Sequence, residues 1–166
     1  MYKKLIPDMI VESIHKIDLN LLKEKGISNL VLDIDNTLVP KESKIPDKTT
    51  IEWLEKVKKE GFGVCLVSNN TKKRVNEFRE KIDVPGIAWA IKPRKGAFKK
   101  ALKILDAKPH ETALIGDQIF TDILGGKRAG LYTILVKPLS KEELGWTKLM
   151  RKAERHVLKR IERYEN

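Results

Sequence analysis

Residues 30–40, LVLDIDNTLVP, constrain the fold more tightly than any other stretch of this chain. Leu30, Val31 and Leu32 form an apolar run suited to a strand buried on both faces. The run ends in two carboxylates one residue apart, Asp33 and Asp35, followed by Asn36 and Thr37. Side chains at i and i+2 of a strand share a face, so both acids point the same way if the strand continues that far. Two carboxylates at a strand end repel one another and resist losing water, an arrangement that a cation or a chemical task offsets. The plainer alternative is a pair of solvated acids in a turn, with Asn36 and Thr37 as turn formers.

The flanking pattern alternates short apolar strands with amphipathic helices. Strands are predicted at about 29–34, 63–67, 87–91, 113–115 and 132–136. Helices are predicted at about 48–60, 71–82, 97–105 and from the 116–122 segment to 129, where Gly130 closes the last one. Residues 5–25 read as one or two short amphipathic helices ending at Gly26. Alternation of this kind predicts an α/β fold: a three-layer, Rossmann-like arrangement with a central parallel sheet. The expected organisation is one domain over 1–166, with a core at about 28–137, an N-terminal helical segment over 1–27 and a basic amphipathic helix at about 141–164.

In an open parallel sheet, ligands bind beyond the carboxyl ends of the strands. Asp33, Asp35 and Thr37 follow the first core strand, and Ser68, Asn69 and Asn70 follow the second. Lys92 follows the third, and Asp117 and Asp122 follow the fourth. Acids on two strands with an ammonium between them point to a phosphate and a hard divalent cation such as Mg²⁺, which takes oxygen ligands. Asp33 and Asp117 are the best direct ligands, with Asp122 touching or supporting the metal. Ser68, the backbone near Asn69, and Lys92 suit phosphate oxygens. A carboxylate held against phosphorus can attack it to form an aspartyl phosphate, and a second acid two residues on can serve the leaving oxygen and then the water.

The segments DIDNT, SNN, KP and GDQIFTD resemble the four motifs of the haloacid dehalogenase (HAD) superfamily. The resemblance implies that Asp33 is the nucleophile and a Mg²⁺ ligand. Asp35 is then the general acid/base, offering its backbone carbonyl to the metal. Thr37 steadies the loop around the phosphate, and Ser68 and Asn69 belong to the phosphate-binding segment. Lys92 pairs with Asp33 and phosphate, Asp117 binds Mg²⁺, and Asp122 supports it. Lys95 is a nearby rival for the lysine role. The intervals 38–67 and 71–91 leave no room for the cap domain many superfamily members carry, so an open site is expected. More closely, IDNTLV, SNN, AIKPRKGAF and IGDQIFTDILGGKRAG resemble the YqeG family of HAD subfamily IIIA. That family is similar to mitochondrial phosphatidylglycerophosphatases, which implies a phosphate on a lipid headgroup as substrate. A soluble phosphate ester or a phosphorylated macromolecule is the alternative.

Composition narrows the setting. The net charge of +11 suits phosphorylated partners, an anionic membrane surface or simply a Lys-rich surface. No apolar run is long enough to span a bilayer, and the N-terminus does not resemble a secretory signal. The lone cysteine, Cys65, lies in an apolar run and reads as a buried structural thiol in a reducing, cytoplasmic setting. A receiver-like phosphoacceptor domain is disfavoured because the candidate nucleophile follows the first core strand. No nucleic-acid partner is expected: aromatic content is 6% and no recognition motif is present. Residues 148–166 hold seven Lys/Arg and three Glu, with Trp146, Met150, Ala153, Val157, Ile161 and Tyr164 on one helical stripe. That stripe can lie peripherally on the inner membrane face, or dock on protein.

Overall fold

A computed structural model describes residues 2–140 together with 152–154, 156, 157 and 159. Six strands, β1 (Met9–Val11), β2 (Asn29–Leu32), β3 (Gly63–Val67), β4 (Gly86–Ile87), β5 (Thr112–Gly116) and β6 (Tyr132–Val136), form one sheet. Their order is β1-β6-β5-β2-β3-β4, and every pairing is parallel. Five helices connect them: α1 (Leu19–Glu24), α2 (Lys48–Lys59), α3 (Lys72–Arg79), α4 (Lys95–Ile104) and α5 (Leu124–Ala129).

The strands are apolar because both faces are covered. Leu30, Leu32, Val64, Leu66 and Ile115 face one layer, where Leu22 of α1, Leu54 and Val57 of α2, and Val75 and Phe78 of α3 are buried. Val31, Cys65, Val67 and Leu114 face the other, against Ala97, Phe98, Ala101 and Leu102 of α4. Alternate strand residues thus enter opposite layers. Cys65 is fully buried, and that burial pushes its thiol up to about 12, as suits a structural residue. The helix starts follow capping chemistry: Asp18, Asp47 and Thr71 each accept backbone N–H groups of the helix they precede. No cap domain interrupts the fold: between β2 and β3 lie a loop and α2, and between β3 and β4 lies α3.

From β2 the chain winds outward through β3 and β4, then crosses back to β5 on the other side of β2. The switch point of the sheet therefore lies between the carboxyl ends of β2 and β5, where Asp33 and Asp117 stand.

Three expectations need correction. The segment 5–25 is not mainly helical: it contains edge strand β1, a short 3₁₀ turn (Ile14–Lys16) and the six-residue α1. Asp8 stitches β1 to β6, its Oδ2 accepting from Thr133 N (2.7 Å) and Oγ1 (2.9 Å) and its Oδ1 meeting Lys127 Nζ (2.5 Å). The strand expected at 87–91 stops at Ile87, because Trp89 and Ile91 take left-handed backbone (φ 51° and 52°). The strand expected at 29–34 stops at Leu32. Its chain then turns through Asn36 (φ 63°), so Asp33 and Asp35 lie beyond the strand rather than on one strand face, although both line one cavity.

In the C-terminal region, Glu154 is buried, and its Oε1 accepts from Ile119 N at 2.7 Å. Val157 packs against the cluster of Ile119, Ile123 and Leu135, while Ala153 is exposed. Trp146, Met150, Ile161 and Tyr164 lie outside the described residues. Among the described residues no helix is long and apolar enough to cross a membrane.

Candidate active site

Asp33 directly follows β2, and its N–H still donates to Ile115 O (3.0 Å), which keeps it in register with β5. Its Oδ1 lies 2.6 Å from Lys92 Nζ, and its Oδ2 accepts from Thr37 Oγ1 at 3.1 Å. Lys92 Nζ also lies 2.6 Å from Asp122 Oδ1. The Lys92 side chain is only 3% exposed, so this ion pair is shielded from water. The rival Lys95 begins α4 and is exposed. Lys92 reaches the site from a loop pinned by Asn69, whose Oδ1 accepts Lys92 N–H at 2.8 Å.

Asp122 reaches back toward Lys92 because its helix starts with a π turn, Ile119–Ile123. Gln118 O accepts both Asp122 N (2.9 Å) and Ile123 N (3.2 Å), and Asp122 Oδ2 accepts Gln118 N (3.1 Å). Such a bulge re-aims a side chain and recurs at functional sites. Gly116 makes room for it, since a Cβ there would overlap the Asp122 carboxylate.

Oxygens of Asp33, Asp117 and Asp122 lie within 4.8 Å of one another, and all three residues are buried. Three carboxylates facing one ammonium leave an excess of buried negative charge. Hard oxygen donors at this spacing fit a divalent cation, which would offset that excess. Thr37 Oγ1 lies 3.1 Å from Asp33 and 3.4 Å from Asp117, and its single proton can serve only one at a time.

The electrostatics follow from burial. Burial raises the Asp33 carboxyl to about 6, opposed by Lys92 and assisted by Asp122 and Asp35. Burial works against the charge on Lys92, but Asp122 and Asp33 more than reverse this and hold the ammonium protonated. Lys92 is therefore a fixed cation rather than a proton donor.

Asp35 lines the same cavity but is held differently. Its Oδ1 accepts from Arg74 Nε (3.2 Å) and Nη2 (2.9 Å), and its Oδ2 from Asn70 Nδ2 (3.2 Å). The Asp35 carboxylate therefore stands apart from the metal-spaced trio. The metal role expected of Asp35 belonged to its backbone carbonyl. Arg74 also donates to Lys44 O (2.6 Å), tying the 41–46 loop to the site. Sequence reasoning missed Arg74. Its signal was an arginine in the first turn of α3, where the helix dipole disfavours cations unless an anion compensates.

Ser68 and Asn69 follow β3 at the cavity wall. Ser68 is buried, and its Oγ accepts Asn70 N–H at 3.1 Å, which leaves its own proton for a substrate oxygen. The open cavity measures about 280 Å³. Lys41, Trp89, Gln118 and Thr121 also line it, none of which the sequence had singled out.

Comparison with known proteins agrees with this architecture. A haloacid dehalogenase-like hydrolase profile matches residues 30–92, and a HAD-hydrolase-like profile matches residues 90–161. The chain is 38% identical over 164 residues to the probable phosphatase YqeG of Bacillus subtilis, covering 98% of this chain and 95% of that protein. It is 29% identical over 167 residues to the chloroplastic/mitochondrial phosphatidylglycerophosphate phosphatase 1 of Arabidopsis thaliana. That match covers 93% of this chain but 47% of the plant protein. Among solved structures, the cobalt-bound deoxy-D-mannose-octulosonate 8-phosphate phosphatase of Haemophilus influenzae shares the fold, with TM-score 0.58 and 12% identity. It covers 82% of this chain and 90% of that one. A subfamily III A hydrolase of Legionella pneumophila aligns with TM-score 0.54 and 18% identity, covering 73% and 71% of the two chains. Sheet order, site geometry and a near full-length relative converge: the chain belongs to the haloacid dehalogenase superfamily of hydrolases, in the YqeG family.

Proposed function

We propose that this HAD phosphomonoester hydrolase is a Mg²⁺-dependent phosphatase acting on phosphatidylglycerophosphate through an aspartyl phosphate on Asp33. The observation that carries the chemistry is the convergence of Asp33, Lys92, Asp117 and Asp122 at the switch point, with Ser68 in the wall of the cavity that Asp33 lines. Support for the lipid comes from the plant relative.

Asp33, Asp117 and Asp122 would hold Mg²⁺, and the family resemblance adds the backbone carbonyl of Asp35. When bound, the cation neutralises phosphate charge and offsets repulsion between phosphate and carboxylate. Lys92 adds a second, permanent cation, and Ser68 and the backbone near Asn69 orient the phosphate oxygens. Asp33 attacks phosphorus and the ester P–O bond breaks; Asp35, protonated once it is released from Arg74, gives its proton to the leaving oxygen. Asp35 then takes a proton from water as that water attacks the phosphoenzyme. The Asp33–phosphorus bond breaks and inorganic phosphate leaves. Thr37 steadies the Asp33 carboxylate throughout.

The test is a side-by-side assay of phosphatidylglycerophosphate and soluble esters with Mg²⁺. Preference for the lipid is expected, and a soluble ester turned over far better would replace the substrate. Asp33→Asn is expected to lower turnover by at least about a thousandfold. Near-normal turnover by a folded Asp33→Asn variant would remove the covalent mechanism.

A further inference from the structure

Trp89 and Ile91 are 57% and 59% exposed, the most exposed of the large apolar side chains among the described residues. Both take left-handed backbone, φ 51° and 52°, which bulky and β-branched residues disfavour. The strain is imposed by the phosphate-binding segment. Trp89 N donates to Asn70 O (3.0 Å), Ala90 N to Ser68 O (3.0 Å), and Lys92 N to Asn69 Oδ1 (2.8 Å). Ala90 and Lys92 are buried, so the bonds that set Lys92 in the site also set Trp89 at its rim and Ile91 outside it. Strained backbone persists where its surroundings over-determine it, and it clusters at functional sites. Folding alone would favour Gly or Asn at these two positions, and neither is present.

The surroundings of this rim are cationic. Trp89 and Lys41 line the same cavity as Asp33, and exposed Arg94 and Lys95 follow Ile91. A third exposed apolar residue, Ile45 (53%), belongs to the loop that provides Lys41 and the Lys44 carbonyl held by Arg74. Apolar tips flanked by cations suit the headgroup layer of an anionic bilayer, where tryptophan in particular settles. A cavity of about 280 Å³ admits a phosphate and the glycerol that carries it, but not a pair of acyl chains. A lipid phosphate would thus be served with its chains left in the bilayer, which requires the cavity mouth to meet the membrane.

We propose that the Trp89–Ile91 rim is an interfacial docking element that seats the mouth of the site on an anionic bilayer. Trp89 and Ile91 enter the headgroup layer, and Lys41, Arg94 and Lys95 face its phosphates. This rests on the lipid-phosphate reading above.

The experiment uses the full chain with vesicles of phosphatidylcholine alone or mixed with phosphatidylglycerol. Wild type is expected to co-sediment with the anionic vesicles only, and less at high salt. Ile91→Asn suits a left-handed backbone, so it is expected to melt no lower than wild type while partitioning into anionic vesicles about tenfold less. Ile91→Glu is expected to weaken partition further. Both variants are expected to hydrolyse soluble p-nitrophenyl phosphate at the wild-type rate but to act more slowly on vesicle-borne substrate. Wild-type failure to bind anionic vesicles, or undiminished binding by both Ile91 variants, overturns the proposal. So does a Trp89→Ala variant that slows soluble and vesicle-borne turnover alike while binding vesicles normally, because Trp89 would then be stacking on the leaving group. Rim-dependent vesicle binding without hydrolysis of the lipid phosphate would keep the docking surface and remove the lipid substrate.

Discussion

Two carboxylates at 2.6 Å compensate the Lys92 ammonium, and removing the ammonium leaves them facing one another in a buried site. Lys92→Ala is therefore expected to abolish turnover and to lower stability by about 3–5 kcal/mol without metal. Mg²⁺ should return part of that stability, because a cation relieves the same repulsion. Urea unfolding with and without Mg²⁺ reads both effects. Equal stability of wild type and Lys92→Ala without metal would show that the acids are not repelling one another as described. At this scale the sequence was informative: Asp33, Thr37, Ser68, Asn69, Lys92, Asp117 and Asp122 all meet around one cavity or the acids beside it. It was silent on Arg74, since a basic residue early in a helix shows its purpose only when Asp35 stands 2.9 Å away.

Among the elements, those buried on both faces were the most legible. β3 and β6 match their expected bounds, because continuous apolar runs bounded by glycine, proline or polar residues leave few alternatives. β1 was missed for the opposite reason. It is three residues long, lies at an edge, and shows the half-buried pattern that a short amphipathic helix would also show. Its ladder to β6 and the packing of Met9 and Val11 are long-range, and so is the Asp8 contact that anchors it, so no local pattern reveals them. β4 was overextended because Ile87, Trp89 and Ile91 alternate as a strand would, whereas hydrogen bonds to the 68–70 segment bend them away. Asp8 also yields a pH prediction. Burial works against its charge, but Lys127 and Thr133 prevail and hold its carboxyl below the ordinary 3.8. A depressed carboxyl contributes stability above its unfolded value, and that contribution is lost as pH falls through the folded value. Asp8→Ala is thus expected to cost about 1–3 kcal/mol near neutrality and to flatten the loss of stability below about pH 4. An unchanged acid limb in pH-dependent thermal unfolding would contradict the Asp8 account.

For the whole molecule, sheet topology accounts for the site more than any one loop does. The chain reverses direction across the sheet between β2 and β5, and that crevice receives acids from both strands. Folding therefore concentrates negative charge at one edge of a chain whose net charge is +11. Any ligand that binds only the folded crevice must stabilise the fold. Mg²⁺ at about 100 times its dissociation constant is expected to add roughly 2.7 kcal/mol, and Asp117→Asn to remove most of that gain. Identical melting of the wild type with Mg²⁺ and with a chelator would contradict metal binding at the trio.

The most direct measurement stops the enzyme during turnover with acid, reduces any acyl phosphate with borohydride, and maps the peptides by mass spectrometry. Conversion of Asp33 to homoserine, dependent on substrate and Mg²⁺, is the expected result. Reduction at another residue, or none while turnover proceeds, would contradict Asp33 as the nucleophile.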